Sequence, residues 1–488
     1  MRRALILCAT ASLLLVIAAV LLLGLGVFHQ VLRSIMSQRM VLKPNSTAFK
    51  DWKEIPAMVE FEVYLFHCVN PHEVLAGERP VLQQRGPYTY REQLSRQDVV
   101  FEENNTVSAT LVRTYNWIPE LSVGSPMEDK ITALNVPLVA AIEKVQALGL
   151  PSLVDRLFSF LAAMESETLF ASHSVHELLW GYEDPLLVFL NKIAPSLAPD
   201  TQFGIFYKRN GSDDGRYDFN NGKGDFFNFS RIERWKGMRT LPWWTSHSCN
   251  AINGTDATSF HPFLSRKDIL YMFNSDVCRS VYATYEQELT VAGLWAFRFT
   301  PPASVFANAS ANPANAGFCT PTGNCLGSGV LNVSVCNQGA PIIMSSPHFY
   351  QADPRYVNSV EGLKPNKQKH QTFIDINPYI GFPVRSAKRL QVNVHVQKWS
   401  LVEQTGNIRT LVFPVMFLSE NMELEPKAAG ELAQLQIQIS LLLNIPYILL
   451  ALAGLFALVA AWLACRHARV TSRDSERTPL VVGQEDRL

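Results

Sequence analysis

Charge is what this 488-residue chain has least of: 18% of its residues are Asp, Glu, Lys or Arg, and 43 basic side chains cancel 43 acidic ones. A chain with no net field and no basic stripe interleaved with aromatics has no footprint for a polyanion, which excludes nucleic acid as a partner. Catalytic signatures are missing too. No Gly-x-Ser-x-Gly turn raises a nucleophilic serine, and no glycine-rich loop ends in Lys-Ser/Thr to cradle phosphates. The run His176-Glu177-Leu178-Leu179-Trp180 starts like a zinc-protease helix, but Trp180 stands where the second imidazole is needed. There is no Cys-x-x-Cys pair to clamp a metal. These gaps argue against an enzyme, a cofactor and a metal site.

Apolar residues, by contrast, make up 48% of the chain, enough to bury a large core. Residues 4–28 carry no charged side chain, and about 20 such residues span a bilayer core. The run outlasts the roughly 7–15 apolar residues of a signal peptide, so it reads as a retained anchor. Residues 441–465 form a second span, with Asn444 and Pro446 near its start and Tyr447 and Trp462 placed as interfacial aromatics. Arg2 and Arg3 precede the first span, and Arg466, Arg469 and Arg473 follow the second; positive charge stays inside, so both termini are expected in the cytoplasm. The expected organisation is a cytoplasmic 1–3, a span at 4–28, a lumenal ectodomain at 29–440, a span at 441–465 and a cytoplasmic tail at 466–488.

Two features agree with that topology. Glycosylation sequons occur at Asn45, Asn104, Asn210, Asn228, Asn253, Asn308 and Asn332, all between the spans. Six of the 8 cysteines, Cys68, Cys249, Cys278, Cys319, Cys325 and Cys336, lie there too, in what is then an oxidising compartment that favours disulfides. Six cysteines allow about 15 connectivities, and spacing alone selects none. Cys8 and Cys465 sit at the cytoplasmic ends of the spans, where palmitate or simple helix packing accounts equally for each.

Along the ectodomain, 58–70 alternates as a strand, and 88–92, 98–103 and 107–116 read as short strands of a meander. A helical block is expected at about 127–197, broken at Pro137, at 149–151 and at 183–185. Within it Leu153, Val154, Leu157, Phe158, Leu161 and Met164 recur at helical spacing, while Phe160 and Phe170 widen the apolar face. Strand pattern resumes at 204–208, and Asn-Gly and Asp-Gly turns then separate short aromatic runs. Trp243, Trp244 and Trp295 are expected in the core. Residues 390–396 alternate cleanly, and Pro414 marks 410–418 as an edge strand or a bulge. The ectodomain is therefore expected to be α+β, mostly antiparallel strands with one helical insert.

Several runs along the chain carry a resemblance: Gly86-Pro87-Tyr88-Thr89-Tyr90-Arg91-Glu92, Leu178-Leu179-Trp180-Gly181-Tyr182, Asn253-Gly254-Thr255-Asp256, Cys278-Arg279-Ser280-Val281-Tyr282 and Pro347-His348-Phe349-Tyr350-Gln351-Ala352-Asp353. They resemble the scavenger receptor class B family of two-span glycoproteins. Within that family, Ala316-Gly317-Phe318-Cys319, the run 323–330 and the context of Ser172-His173-Ser174-Val175 are similar to the lysosomal member.

That resemblance implies an antiparallel β-barrel ectodomain, a helical apex bundle that binds protein ligands, and an internal tunnel that conducts lipids such as cholesterol or phospholipid. It implies bridges Cys278 to Cys336 and Cys319 to Cys325, leaving Cys249 either unpaired or joined to Cys68. For the lysosomal member the apex ligand is glucocerebrosidase, taken up near neutral pH and released in acid, so Leu153, Val154, Leu157, Phe158, Phe160 and Leu161 are its expected docking face. His173 resembles the family's pH sensor; four residues separate it from Glu177, which places both on one face of a helix. In the tail Glu476, Leu480 and Val481 resemble the acidic dileucine signal read by clathrin adaptor complexes, with Val481 departing from the usual leucine or isoleucine. The alternative is a cell-surface scavenger receptor that transports lipid from lipoproteins or carries fatty acids. Oligomeric state stays open, a homodimer included.

Overall fold

The computed structural model describes residues 2–149, 156, 160, 169–321, 325–399 and 405–475. The chain divides into two units, the terminal segments Met1–Gln38 with Glu431–Leu488 and the body Arg39–Gly430.

In the terminal unit the helices Arg2–Gly24 and Pro426–Ser472 are long and apolar enough to cross a membrane. At about 1.5 Å of rise per residue the 23 residues of the first helix match a hydrocarbon core of about 30 Å. Ser12 Oγ donates to the Ala453 carbonyl at 2.9 Å, tying the two helices together. Pro446 lies inside the second helix, and Asn444 Nδ2 donates back to Ser440 O at 2.7 Å just before it.

The body is built from β1 (Ala57–Cys68), β2 (Leu82–Phe101), β3 (Thr106–Trp117), β4 (Lys130–Leu134), β5 (Phe170–Ser174), β6 (Tyr182–Glu183), β7 (Gln202–Phe203), β8 (Ser212–Asn220), β9 (Ile232–Trp235), β10 (Ile269–Asn274), β11 (Arg279–Val291), β12 (Leu294–Thr300), β13 (Val330–Asn332), β14 (Ile342–Ser345), β15 (Phe373–Asn377), β16 (Phe382–Val396) and β17 (Leu411–Leu424). One antiparallel sheet runs β10-β11-β12-β15-β16-β17-β1-β2-β3-β8-β9, with β14 branching from β16 and carrying β13. Its two ends meet at a seam two residues long. Ile232 N–H of β9 donates to Gly254 O at 2.8 Å, Thr255 N–H donates to Tyr271 O at 3.2 Å, and Phe273 N–H of β10 donates to Thr255 O at 2.9 Å. The sheet is thereby nearly closed into a barrel, with part of the edges of β9 and β10 covered. Gly254 has φ +83°, and a Cβ there would fall 1.8 Å from Tyr271 O, so only glycine lets the seam approach.

Three local expectations change. The segments 88–92 and 98–103 are one continuous strand, β2; its polar middle looks like a turn because Arg96 stands in it, yet Arg96 is fully buried. Its guanidinium donates to Asp256, Thr258 and the Trp52 carbonyl, and lies 4.6 Å over the Trp52 ring. The charge is satisfied inside, so the strand does not break.

Pro414 sits in the interior of the sheet, because β17 runs between β16 and β1. It occupies a bulge, with Asn393 opposite Pro414 and Val392 opposite Met416, and β1 pairs with β17 only up to Met416. The missing N–H therefore faces no partner that needs it.

The block 127–197 is not all helix. β4 and β5 pair within it, Lys130 opposite Ser174 through Leu134 opposite Phe170. Pro137 does not break a helix but opens one, Val136–Leu148, capped by Asn135, whose side chain accepts from Leu138 N–H. Further helices follow at Val175–Trp180 and Pro185–Ile193. Residues 204–208 form turns after the short β7. Trp244 is buried as expected, whereas Trp243 and Trp295 are half-buried.

Candidate functional site

The barrel is hollow. A cavity of about 740 Å³ is lined by Met58, Leu94, Leu111, Met272, Phe273, Ile374, Leu390 and Met422, contributed by strands from around the whole sheet order. That volume lies in the range of small-molecule sites, roughly 300–1,000 Å³. Alternation in each strand separates two faces, and closure of the sheet decides which of them looks inward.

Charges project into this apolar space. Arg113 Nε lies 3.1 Å from Glu92 Oε1, and Lys388 Nζ donates to Asp276 Oδ2 at 2.6 Å and to Glu420 Oε1 at 2.9 Å; all five residues line the cavity. Asp276 stands in the turn after β10, at one end of the sheet order, and Lys388 on β16, near its middle, so this ion pair crosses the lumen. The turn is held by Ser275 Oγ donating to Asp214 Oδ2 at 2.5 Å, by the Cys278–Cys336 disulfide, and by Trp244 Nε1 donating to Cys278 O at 2.7 Å.

Burial and the neighbouring Glu420 push the Glu92 carboxyl up to about 8 against the pull of Arg113 and Lys388, and its Oε2 makes no hydrogen bond. Burial would raise Asp276 too, but Lys388 and Arg113 hold it down to about 2. Burial alone would lower Lys388; Asp276 and Glu420 outweigh it and raise it. None of this cluster was singled out from the sequence. Its only trace there is ionisable residues inside otherwise apolar alternation, as at Arg91-Glu92 and Lys388-Arg389.

The second region is the helical block. Of the docking face that the resemblance implies, Leu153, Val154, Leu157, Phe158 and Leu161 lie outside the described residues. Phe160 is within them, and its ring stacks 4.3 Å from Phe189 of the helix Pro185–Ile193. His173 and Glu177 do not share a helix face: His173 belongs to β5, and the helix starts after it at Val175. They still meet, because Ser174 and Glu177 form a capping box that folds the Glu177 carboxylate back, 3.9 Å from His173 Nδ1.

His173 stacks on Tyr182 of β6 at 3.9 Å, and it also feels Asp184, the buried N-cap of Pro185–Ile193, and Lys130 of β4. Burial lowers its pKa, while Glu177 and Asp184 work the other way. Burial raises Asp184, against the cap hydrogen bonds that hold it down.

Cys319 is bonded to Cys325, while Cys68 and Cys249 are free buried thiols with no bridge between them. Asn45, Asn104 and Asn210 are exposed; Asn228, Asn253, Asn308 and Asn332 are half-buried. The tail residues Glu476, Leu480 and Val481 lie outside the described residues. In the terminal unit Cys465 is exposed and Cys8 partly so.

The sequence profile of the CD36 family matches this chain over residues 10–464. The chain belongs to the CD36 family. It is similar over nearly its whole length to lysosome membrane protein 2 of Rattus norvegicus, 45% identical over 97% of this chain and 98% of the relative. Against the Homo sapiens lysosome membrane protein 2 it is 43% identical over the same shares. Scavenger receptor class B member 1 of Cricetulus griseus is 35% identical over 89% of this chain and 86% of the relative. The resemblance read from the motifs is borne out, and this CD36-family chain has the antiparallel barrel that the resemblance implied.

Proposed function

We propose that this protein is a lysosomal membrane receptor that binds glucocerebrosidase through its helical block near neutral pH, releases it in acid, and carries lipid in the barrel cavity. The observation that carries the reading is the 45% identity to lysosome membrane protein 2 across 97% of the chain.

The surroundings of His173 give the release step a physical route. A lowered pKa leaves the imidazole neutral at neutral pH and lets it charge only as the compartment acidifies. The new imidazolium would draw on Glu177 and Asp184 and be repelled by Lys130. Asp184 caps the helix whose Phe189 stacks on Phe160, so the charge change is coupled to the docking face through that helix. Pull-down of glucocerebrosidase by the full chain in detergent tests this. Wild type should bind at neutral pH and let go in acid, and His173→Ala should retain ligand in acid; unchanged acid release by the variant removes His173 as the sensor.

In this reading residues 29–440 face the lumen and both termini the cytoplasm, with glycans on the seven sequons, palmitate on Cys8 or Cys465, and Glu476, Leu480 and Val481 binding clathrin adaptors. Leu480→Ala should move the steady-state protein from lysosomes to the cell surface, read by surface biotinylation. A second reading, a cell-surface receptor that takes up lipid, draws on the 35% identity to scavenger receptor class B member 1. A Leu480→Ala variant that remains in lysosomes takes away the tail signal, and a wild type found mainly at the surface favours this second reading.

A further inference from the structure

A conduit for hydrocarbon alone has no use for a charged tie across its bore. We propose that the Asp276–Lys388–Glu420 bridge selects the cargo: it admits a lipid with a free hydrogen-bonding head, such as a sterol hydroxyl, and stops one whose head is capped by an acyl ester. The proposal rests on the reading that lipid enters the cavity.

Three observations support it. The bridge joins the β10–β11 turn to β16 and β17 through the interior, and the side chains of Asp276, Lys388 and Glu420 remain 42%, 27% and 20% exposed. They are also cavity-lining, so this surface is open to cargo. A fully capped lipid pressing on it strips water from an ammonium and two carboxylates and returns nothing, whereas a hydroxyl donates to a carboxylate and replaces that water.

Glu92 shares the wall with Arg113 but is only 5% exposed, with its unpartnered Oε2 buried, so the carboxylates of the bridge rather than Glu92 are what cargo meets. Finally, Lys388 is shared by two carboxylates and Arg113 faces Glu92. Each cation of the cluster has a carboxyl group beside it, whereas Arg91 and Arg389 line the cavity outside the cluster, so the bridge itself reads hydrogen bonding rather than net charge.

The test is transfer of a fluorescent sterol and of its oleoyl ester between vesicles by the full chain. Wild type should move the sterol faster by at least about tenfold, the scale on which an unmet polar group discriminates. Asp276→Asn with Lys388→Met and Glu420→Gln should bring the ratio close to one, while Lys388→Arg, which keeps the cation, should preserve the preference. Should the triple variant not fold, Asp276→Asn alone leaves Lys388 on Glu420 and should give an intermediate ratio. Equal transfer of both lipids by wild type, or an undiminished preference in the neutralised variants, overturns selection by the bridge while the conduit stands. Failure of wild type to move either lipid overturns the conduit and the selection with it.

Discussion

At the scale of single residues, the barrel interior keeps ionisable groups in states they would not hold in water. Glu92 titrates in the fold at about 8, above an ordinary carboxyl, so the folded state binds its proton more tightly than the unfolded chain does. Its contribution to stability is full below the ordinary carboxylate range and is lost as pH rises through about 8. Glu92→Gln, which mimics the protonated form, should flatten the fall in melting temperature between pH 5 and pH 8, and a slope unchanged by the substitution would show that Glu92 is not its source. The stacked pair His348 and His370 acts with the opposite sign. Burial pushes them down to about 3 and about 4, helped for His348 by His370 and for His370 by Arg389. The unfolded chain then takes up their protons first, and stability drops as pH falls below about 6.5. Both imidazoles accept backbone N–H bonds at Nδ1, from Lys364 and Asn366, a role open only to the neutral ring.

At the scale of elements, the glycine of the seam sets how closely the two ends of the sheet approach. Gly254→Ala places a methyl group on the Tyr271 carbonyl and a side chain at positive φ, and should lower stability by more than about 2 kcal/mol, measured as a shift of the denaturation midpoint. Substitution of the exposed Gly293, which shares the positive φ at +81° but where an added Cβ meets nothing within 4 Å, separates the clash from the backbone strain. Strands with strict alternation were legible in the sequence: β1 and the second half of β16 fall where period two puts them. Elements whose pattern is set by partners were not. Arg96 reads as a turn residue until Asp256, 160 positions away, is brought against it. Lys130–Leu134 hides inside a helical block because its partner Phe170–Ser174 is supplied from beyond the intervening helix. His173 was singled out by its resemblance to the family's sensor and Glu177 by its spacing from it, but a capping box rather than a shared helix face brings them together. Pro414 was read correctly as a bulge and incorrectly as a candidate edge, since local chemistry shows where an N–H is missing but not which strands lie on either side.

At the scale of the whole molecule, composition was legible: two apolar terminal runs, six of the 8 cysteines and the seven sequons between them, and strands predominating in the middle. The lining of the cavity was not, because inward and outward sets become distinct only when β9 and β10 are joined through residues 254 and 255. Two thiols then stand out within the closed body. Burial raises Cys68 to about 11, leaving little thiolate to react, and Cys249 is equally enclosed. Both should resist a maleimide reagent in the native protein and label fully in denaturant; rapid labelling without denaturant would show that the body opens on its own. If the body faces an oxidising lumen, as proposed, that enclosure works as a one-way door: a molecule that unfolds even once offers two spare sulfurs to its own bridges and its neighbours, and durability is then set by the rate of opening.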